Sequence, residues 1–175
     1  MRPSLRLSAL SLALAAMSSL AMAKSPAEWQ QLVAQSKLTL NQAIVQATQA
    51  VPGTVIDAEL DDGDLQAPHY AVEIITPAGE SVEVKVDAVS GQAGPAKHDG
   101  KAKNKDMQRL KAAKTSMQQA IEAATAHTPG TAVGAELDNH WGTTSYQVNV
   151  LQADGQMMEV KINAANAQVL RAKRD

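Results

Sequence analysis

The stretch Glu83–Gly91, which reads EVKVDAVSG, decides the fold of this chain because it occurs twice. It returns in the second half of the chain at Glu159–Ala167 as EVKINAANA. The first half of each copy alternates charged and apolar residues, a pattern typical of a strand with one buried face. The second half of the first copy has the composition of a turn, and the second copy keeps a modified version of it. A strand that recurs together with its turn predicts a duplicated structural unit.

Other short motifs recur in the same order and at a nearly constant offset along the chain. The second unit loses a single position between its first and second strands, and the register is otherwise kept. Such a register predicts two copies of one unit. Two copies do not make a solenoid, which needs at least about three repeats. In the first helix Met107 is expected at the place of Trp29. The repeated pairs are Pro52-Gly53-Thr54 and Pro129-Gly130-Thr131, Glu59-Leu60-Asp61 and Glu136-Leu137-Asp138, and Tyr70-x-Val72-x-Ile74 and Tyr146-x-Val148-x-Val150.

Each unit is predicted to contain two helices followed by three strands. Glu28 follows Ser25 by three residues, and Gln42 follows Thr39 by three residues. This spacing is the pattern of a helix capping box. Apolar residues then recur at helical spacing, and Pro-Gly ends the second helix. Three strand-like runs with alternating apolar residues complete the unit. These runs span 54–60, 69–75 and 81–87.

The expected fold class is α+β, with two tandem ααβββ repeats. Because the connections between strands are short, each repeat should form an antiparallel three-stranded sheet, which its amphipathic helices cover. Two small separate cores would be marginal, and each separate sheet would leave its edge strands exposed. We therefore expect the repeats to pair around a pseudo-twofold axis and to join their sheets edge to edge.

The chain divides into four predicted segments. Segment 1–23 has two arginines, an apolar run and small residues before a cleavage point, which is typical of a secretory signal peptide and short for a membrane anchor. Segments 24–93 and 106–175 are the two repeats. Segment 94–105 contains glycine, proline and four lysines without an apolar period. It is interpreted as a solvated linker, with a basic patch for an acidic partner as the alternative.

The composition limits the functional classes. Removal of residues 1–23 takes away two arginines and no acids, which leaves 14 basic and 18 acidic side chains and a net charge of −4. This charge gives no reason to expect nucleic acid as a partner. Cysteine is absent, so a thiolate nucleophile, a disulfide and a sulfur-ligated zinc site are excluded. No second apolar run of spanning length follows, so we expect no membrane insertion after cleavage, and a periplasmic or secreted protein.

The motifs together resemble the PepSY domain: a capped helix with Ala-Ile, a Pro-Gly stop, a strand ending Glu-Leu-Asp, a Tyr-x-Val-x-Ile strand and a final Val-x-Val-Asp-Ala-x-Ser-Gly. The resemblance covers about 38–93 and 115–170, and Val86–Gly91 is its most specific part. It implies an exported, non-catalytic module of the kind found in propeptides of thermolysin-like metallopeptidases and in envelope proteins. The second copy departs from the pattern at Asn163 and Ala167. If Gly91 adopts a left-handed turn, alanine at the matching position is strained or the turn differs.

Residue types that could carry chemistry form no recognised catalytic motif, so we expect no enzyme and no cofactor. The histidines lack an i, i+4 pair, although a metal site assembled from distant positions stays open. The acidic residues near the first strand do not match a calcium loop and are interpreted as a solvated face and turn. The histidines are His69, His98, His127 and His140. The acidic residues are Asp57, Glu59, Asp61, Asp62 and Asp64.

The leading functional hypothesis is protein–protein contact through the loops at 61–69 and 138–145, or through a sheet edge that accepts a strand. The family resemblance implies a peptidase or another envelope enzyme as the restrained partner. Trp141 is either an exposed interface anchor or a ring that covers a core without phenylalanine. The alternative hypothesis is a small-ligand or metal-ion binder in the cleft between repeats, and an enzyme is third. The candidate interaction residues are Trp141, His140, His69, Asp62 and Asp64.

Overall fold

The computed structural model describes residues 24–63, 67–140 and 142–175. The predicted signal peptide at 1–23 lies outside the described residues. The first unit contains α1 (Pro26–Gln35), α2 (Leu40–Ala50), β1 (Thr54–Asp61), β2 (His69–Ile75), β3 (Glu80–Asp87) and β4 (Lys97–Lys101). The second unit contains α3 (Asn104–Ala112), α4 (Met117–His127), β5 (Thr131–His140), β6 (Thr143–Leu151), β7 (Met157–Asn163) and β8 (Val169–Arg174).

The two units join their strands into one antiparallel sheet of eight strands, in the order β4-β3-β2-β1-β5-β6-β7-β8. The α+β class and the edge-to-edge joining of the units are confirmed. At the junction β1 pairs with β5, and Ala58 lies opposite Ala135. These two alanines are equivalent positions of the two copies, because each directly precedes the repeated Glu-Leu-Asp motif. The pairing therefore places a local pseudo-twofold axis between them.

Each unit contains two helices and four strands, ααββββ, whereas the sequence predicted only three strands, ααβββ. The segment 94–105, predicted to be a linker, contains β4 and the start of α3. Every residue of β4 is exposed. An edge strand with neither face in the core shows no apolar alternation, so the sequence pattern did not reveal it. The matching edge strand of the second unit is β8.

Helices α2 and α4 cover one face of the sheet, which the alternation of the strands makes apolar. Helix α2 packs on β1, β2 and β3, and α4 packs on β5, β6 and β7. The predicted capping boxes at Ser25 and Thr39 are both present, and Ser116 forms the equivalent box with Gln119 at the start of α4. The buried residues of these helices include small ones such as Ala43, which allow a helix to lie close to the sheet.

The repeated tyrosines attach the sheet to the segments that precede α2 and α4. Tyr70 donates its hydroxyl proton to the carbonyl oxygen of Leu38 at 2.6 Å, and Tyr146 donates to that of Thr115 at 2.7 Å. Burial raises the pKa of both phenols to about 12. The Tyr-x-Val pattern therefore marks a structural hydrogen bond to the backbone.

The first helix of each unit lies near the other unit. In α1, Gln30 donates to the carbonyl oxygen of Ala153, in the turn between β6 and β7. In α3, Asp106 and Arg109 line a depression together with Asp57 and Glu73, which lie on β1 and β2 of the first unit. The two units thus support each other through helix-to-hairpin contacts as well as through the sheet.

Helices α1 and α3 differ more than the sequence comparison indicated. Matching Met107 with Trp29 was wrong by one position, because the residues that cap the ends of the two helices are Ser36 and Ala113. Counted back from these caps, Asp106 takes the place of Trp29. Asp106 is buried and pairs with Arg109 at 3.1 Å, so an ion pair replaces an apolar pair.

The turn that ends each copy of the opening stretch is the same in both units. Gly91 has a φ of 76° and Ala167 a φ of 58°, so both adopt the left-handed region. Asp87 and Asn163 accept backbone hydrogen bonds at the start of their turns. The substitution by asparagine keeps the turn, whereas alanine in place of glycine leaves the second turn strained.

We expect the substitution Ala167→Gly to stabilise the protein by about 0.5–1 kcal/mol. Relief of the left-handed strain, about 1–2 kcal/mol, is partly offset by the greater freedom of glycine in the unfolded chain. Urea denaturation would measure the change. The reverse substitution, Gly91→Ala, should destabilise, and an Ala167→Gly protein less stable than wild type would contradict the strain argument.

Candidate functional site

One face of the sheet is not covered by α2 and α4, and we call it the open face. It carries the residues that alternate with the buried ones, such as Glu83 and Lys85 between Val82, Val84 and Val86. The first strands of both units also leave Glu59 and Glu136 exposed there. Helix α3 lies against the middle of this face, because Asp106 and Arg109 line a depression together with Asp57. The rest of the face is a polar sheet surface that another molecule can contact.

The strand register aligns a row of charges across the whole open face. Each member lies directly opposite its neighbour on the next strand. Four carboxylates are consecutive in this row, which we call the acidic row, and three cations lie at its two ends. Neighbouring strands are about 4.8 Å apart, so the four carboxylates extend over roughly 14 Å. In order from β4 to β8 the residues are Lys97, Glu83, Glu73, Asp57, Glu136, Gln147, Lys161 and Arg171.

Asp57 lies in the middle of the acidic row and is the most perturbed carboxyl group on this face. Burial and the nearby carboxylates of Glu59, Glu136 and Glu73 raise the pKa of Asp57 to about 7. Like charges directly opposite each other destabilise a sheet. In the second unit the equivalent of Asp57 is Gly134, so this crowding belongs to the first unit and the junction.

A pocket in the first unit, the first-repeat pocket, lies beside the acidic row with a cavity volume of about 460 Å³. Its apolar walls are formed by Ala67–Pro68 before β2 and by Ala93–Pro95 before β4. Its floor contains His69 and Lys85. Only 3% of His69 is exposed, and its Nδ1 lies 3.1 Å from the carbonyl oxygen of Ala67.

The pseudo-equivalent second-repeat pocket has a volume of about 560 Å³ and a different chemistry. In the alignment of the two copies, Ser145 replaces His69, and Leu170 and Arg171 replace Gly94 and Pro95. The buried carboxylate of Glu159 accepts contacts from Arg171 at 3.4 Å and from Lys173 at 3.2 Å. This pocket is therefore polar and strongly charged, whereas the first exposes mainly apolar surface although charged residues such as Lys85 and Asp87 also line it.

Among the described candidate interaction residues, Asp62 and His69 lie at one end of the sheet, because His69 pairs with Asp61, and His140 lies at the other. The loops at 61–69 and 138–145 follow β1 and β5, and these two strands are antiparallel. The loops consequently lie at opposite ends of the sheet, roughly 25 Å apart for a strand of this length. Most of 138–145 is strand, because His140 pairs with Thr143.

Three of the five candidate residues, His69, Asp62 and His140, lie in the described part of the chain. His69, a candidate for interaction with a partner, is buried. Asp62 lies 3.2 Å from the ammonium of Lys24, which also contacts Asp61. The hydrogen bond from Lys24 lowers the pKa of Asp61 to about 2, so the acidic turn is partly neutralised. His140 is exposed at the end of β5. Two further candidates lie outside the described residues, namely Trp141 and Asp64.

Over the ranges 24–63, 67–140 and 142–175, no group of three or more potential ligand side chains could hold a metal ion. His98 is on the edge strand β4, and His127 ends α4 with its Nδ1 3.1 Å from the Thr128 hydroxyl. Across the same ranges no helix has both the length and the apolar character needed to cross a membrane.

The model of a known family matches both units of this chain. It is described as "Peptidase propeptide and YPEB domain", PepSY, and it matches residues 37–93 and 114–173. The chain belongs to the PepSY family. Both matched segments begin just before the second helix of a unit. The first ends after the turn that follows β3, and the second ends within β8. Each PepSY segment therefore comprises one helix and the strands that it covers.

Three solved structures are similar to the chain at low identity. One is described as a lipoprotein (CD1622) from Clostridium difficile 630, with 21% identity, coverage of 80% of this chain and 95% of that chain, and a TM-score of 0.47. The YpmB protein from Bacillus subtilis has 15% identity, coverage of 77% and 96%, and a TM-score of 0.36. The YpeB C-terminal domain from Bacillus megaterium has 16% identity, coverage of 79% and 66%, and a TM-score of 0.30. No curated protein matches the chain.

Proposed function

We propose that this PepSY protein is a non-catalytic binding module of the periplasm that restrains a peptidase or another envelope enzyme by direct contact through the open face. The acidic row carries this proposal, because four crowded carboxylates lower stability and a cationic partner surface would relieve their repulsion. The family description, which includes peptidase propeptides, supports a peptidase as the partner. Lys161 and Arg171 at the far end of the row would fix the orientation of that partner.

The proposal is tested by placing a photo-crosslinking amino acid at single positions in the full chain expressed in cells. Lys85 and Lys161 sample the open face, and Val45, which is 42% exposed on α2, is the matched control on the opposite side. We expect one defined crosslinked partner from the open-face positions and none from Val45. In the double variant Glu73→Gln/Glu83→Gln that crosslink should weaken. Crosslinks only from Val45, or none from either face, would refute the proposal.

A further inference from the structure

The first-repeat pocket has the dimensions and the lining of a small-ligand site. Its volume of about 460 Å³ falls in the range of about 300–1,000 Å³ that such sites occupy. Ala67–Pro68 and Ala93–Pro95 contribute small and apolar residues to two walls of its lining. An apolar group of side-chain size fits between these walls. A ligand for this pocket therefore has an apolar body.

The floor of the pocket adds polar groups that would orient such a ligand. The imidazole of His69 is almost completely buried, and its Nδ1 contacts the carbonyl oxygen of Ala67. A carbonyl oxygen only accepts hydrogen bonds, so this contact assigns a proton to Nδ1. The ring is thereby fixed in orientation on β2 directly opposite Asp87, and the half-buried Lys85 lies two residues before Asp87 on β3.

Among the described residues, no carboxylate forms an ion pair with Lys85, the cation on this floor. Glu83 and Asp87 flank it on β3, but neither lies within salt-bridge distance of its ammonium in the described part of the chain. Glu83 is directed to Lys97 at 3.7 Å, and Lys97 also contacts Asp99 at 3.1 Å. The charge of Lys85 therefore remains available to an anionic group on the ligand.

Asp87 also lines the pocket, and hydrogen bonds from Ser90 and Val89 in the turn after β3 lower the pKa of its carboxyl group. One of its carboxylate oxygens accepts hydrogen bonds from the amide of Val89, from the amide of Ser90 and from the Ser90 hydroxyl. Three donors on one oxygen compensate its charge locally. The turn holds the Asp87 carboxylate and Lys97 approaches Glu83, so Lys85 is the cation of the lining that remains for a ligand.

We propose that the first-repeat pocket binds an apolar group that ends in a carboxylate, with the apolar body between the two walls and the carboxylate at Lys85. The C-terminal residue of a peptide and a free apolar N-acyl amino acid supply the same chemistry. The inference does not rest on the protein contact proposed above, because small molecules test it and crosslinking tests the other.

The second-repeat pocket is a built-in control for this inference. It keeps a lysine at the equivalent position, Lys161, but Arg171 and Leu170 occupy the places of Pro95 and Gly94. The wall that would receive the apolar body is therefore charged on one side. A ligand that needs both a lysine and an apolar wall should prefer the first-repeat pocket, although each pocket offers a lysine.

Nuclear magnetic resonance titration of the ¹⁵N-labelled protein tests the inference with three probes. These are N-acetyl-phenylalanine, its carboxamide, and acetyl-Ala-Ala-Phe with a free carboxylate. We expect saturable shifts at the amides of residues 69 and 93–94 for the two acids, and at least about tenfold weaker binding of the carboxamide. A tripeptide that binds more tightly than N-acetyl-phenylalanine identifies a peptide end as the source, and weaker binding identifies a free acid.

Two variants decide whether Lys85 carries the interaction. Lys85→Gln should weaken binding of the acids about tenfold, while Lys161→Gln should leave it unchanged. The amide spectrum of each variant reports separately whether the fold is intact. The inference is overturned if the carboxamide binds as well as the acid, if both pockets respond equally, or if no saturable shift occurs at millimolar probe.

Discussion

Replacing Asp57 with Asn is expected to stabilise the protein more at alkaline than at acidic pH. The folded state raises the pKa of this carboxyl group from 3.8 to about 7, because burial and the surrounding carboxylates disfavour its charge. Between these two values the folded protein holds a proton that the unfolded chain has lost. Stability therefore falls as the pH rises through this window, and above about pH 7 the full cost is present. Asparagine has no charge and removes the cost.

The size of this effect depends on how much of the interval between the two pKa values, 3.8 and about 7, the measurement covers. From about pH 5 to about pH 8, wild type should lose about 2–3 kcal/mol relative to Asp57→Asn, since each unit of pKa corresponds to about 1.4 kcal/mol. Urea denaturation at both pH values gives this difference directly. Glu122→Gln is the control, because Glu122 is exposed on α4 away from the acidic row. An equal stability gain at both pH values would contradict the assigned pKa.

The groups that face Asp57 include cations as well as carboxylates. Lys103, Lys105 and Arg109, at the start and along α3, line a depression together with Asp57 and Glu136. They moderate the repulsion without removing it, because Arg109 is already directed to two other carboxylates, on Asp106 and Asp138. A cationic partner would act in the same direction as these side chains. Its binding should therefore weaken when Asp57 becomes protonated.

The regular elements of this fold are predictable from local chemistry. The capping residues at Thr39 and Ser116 and the alternation in Ser81–Asp87 are sequence-local signals, and the structure contains the elements that they predict. The strand β4 was not predictable in the same way, because all its residues are exposed. The burial of His69 was missed because its position at the start of a strand does not reveal the walls on either side of it.

The candidate site depends on pairing between strands, which the sequence does not display. Glu73, Glu83 and Glu136 are each ordinary members of alternating strands, and they form a row only when the register places them opposite one another. The useful signal was the duplication itself. It makes Gly134 the counterpart of Asp57, and Pro95 the counterpart of Arg171. The acidic row and the first-repeat pocket lie where the two copies carry different residues at equivalent positions.

Replacing Gly53 with Ala is expected to destabilise the protein by about 3 kcal/mol, near the upper end of typical overpacking costs. The Pro-Gly-Thr motif was interpreted as a helix stop, but the glycine also allows close packing. A Cβ at this position would lie 2.5 Å from the Ile75 carbonyl oxygen and 2.5 Å from the Ile74 Cγ2. The oxygen belongs to the backbone of β2 and can move only by disturbing the sheet.

The duplicated unit supplies an independent test of the same argument. At Gly130 a Cβ would lie 2.5 Å from the Leu151 carbonyl oxygen, so Gly130→Ala should be comparably destabilising. Gly79 provides the matched control, because it has a φ of 76° and no atom within 4 Å of its would-be Cβ. Gly79→Ala should therefore cost only about 1 kcal/mol, from backbone strain. If thermal denaturation ranks Gly79→Ala as the most damaging of the three, close packing is not the reason for the repeated glycine.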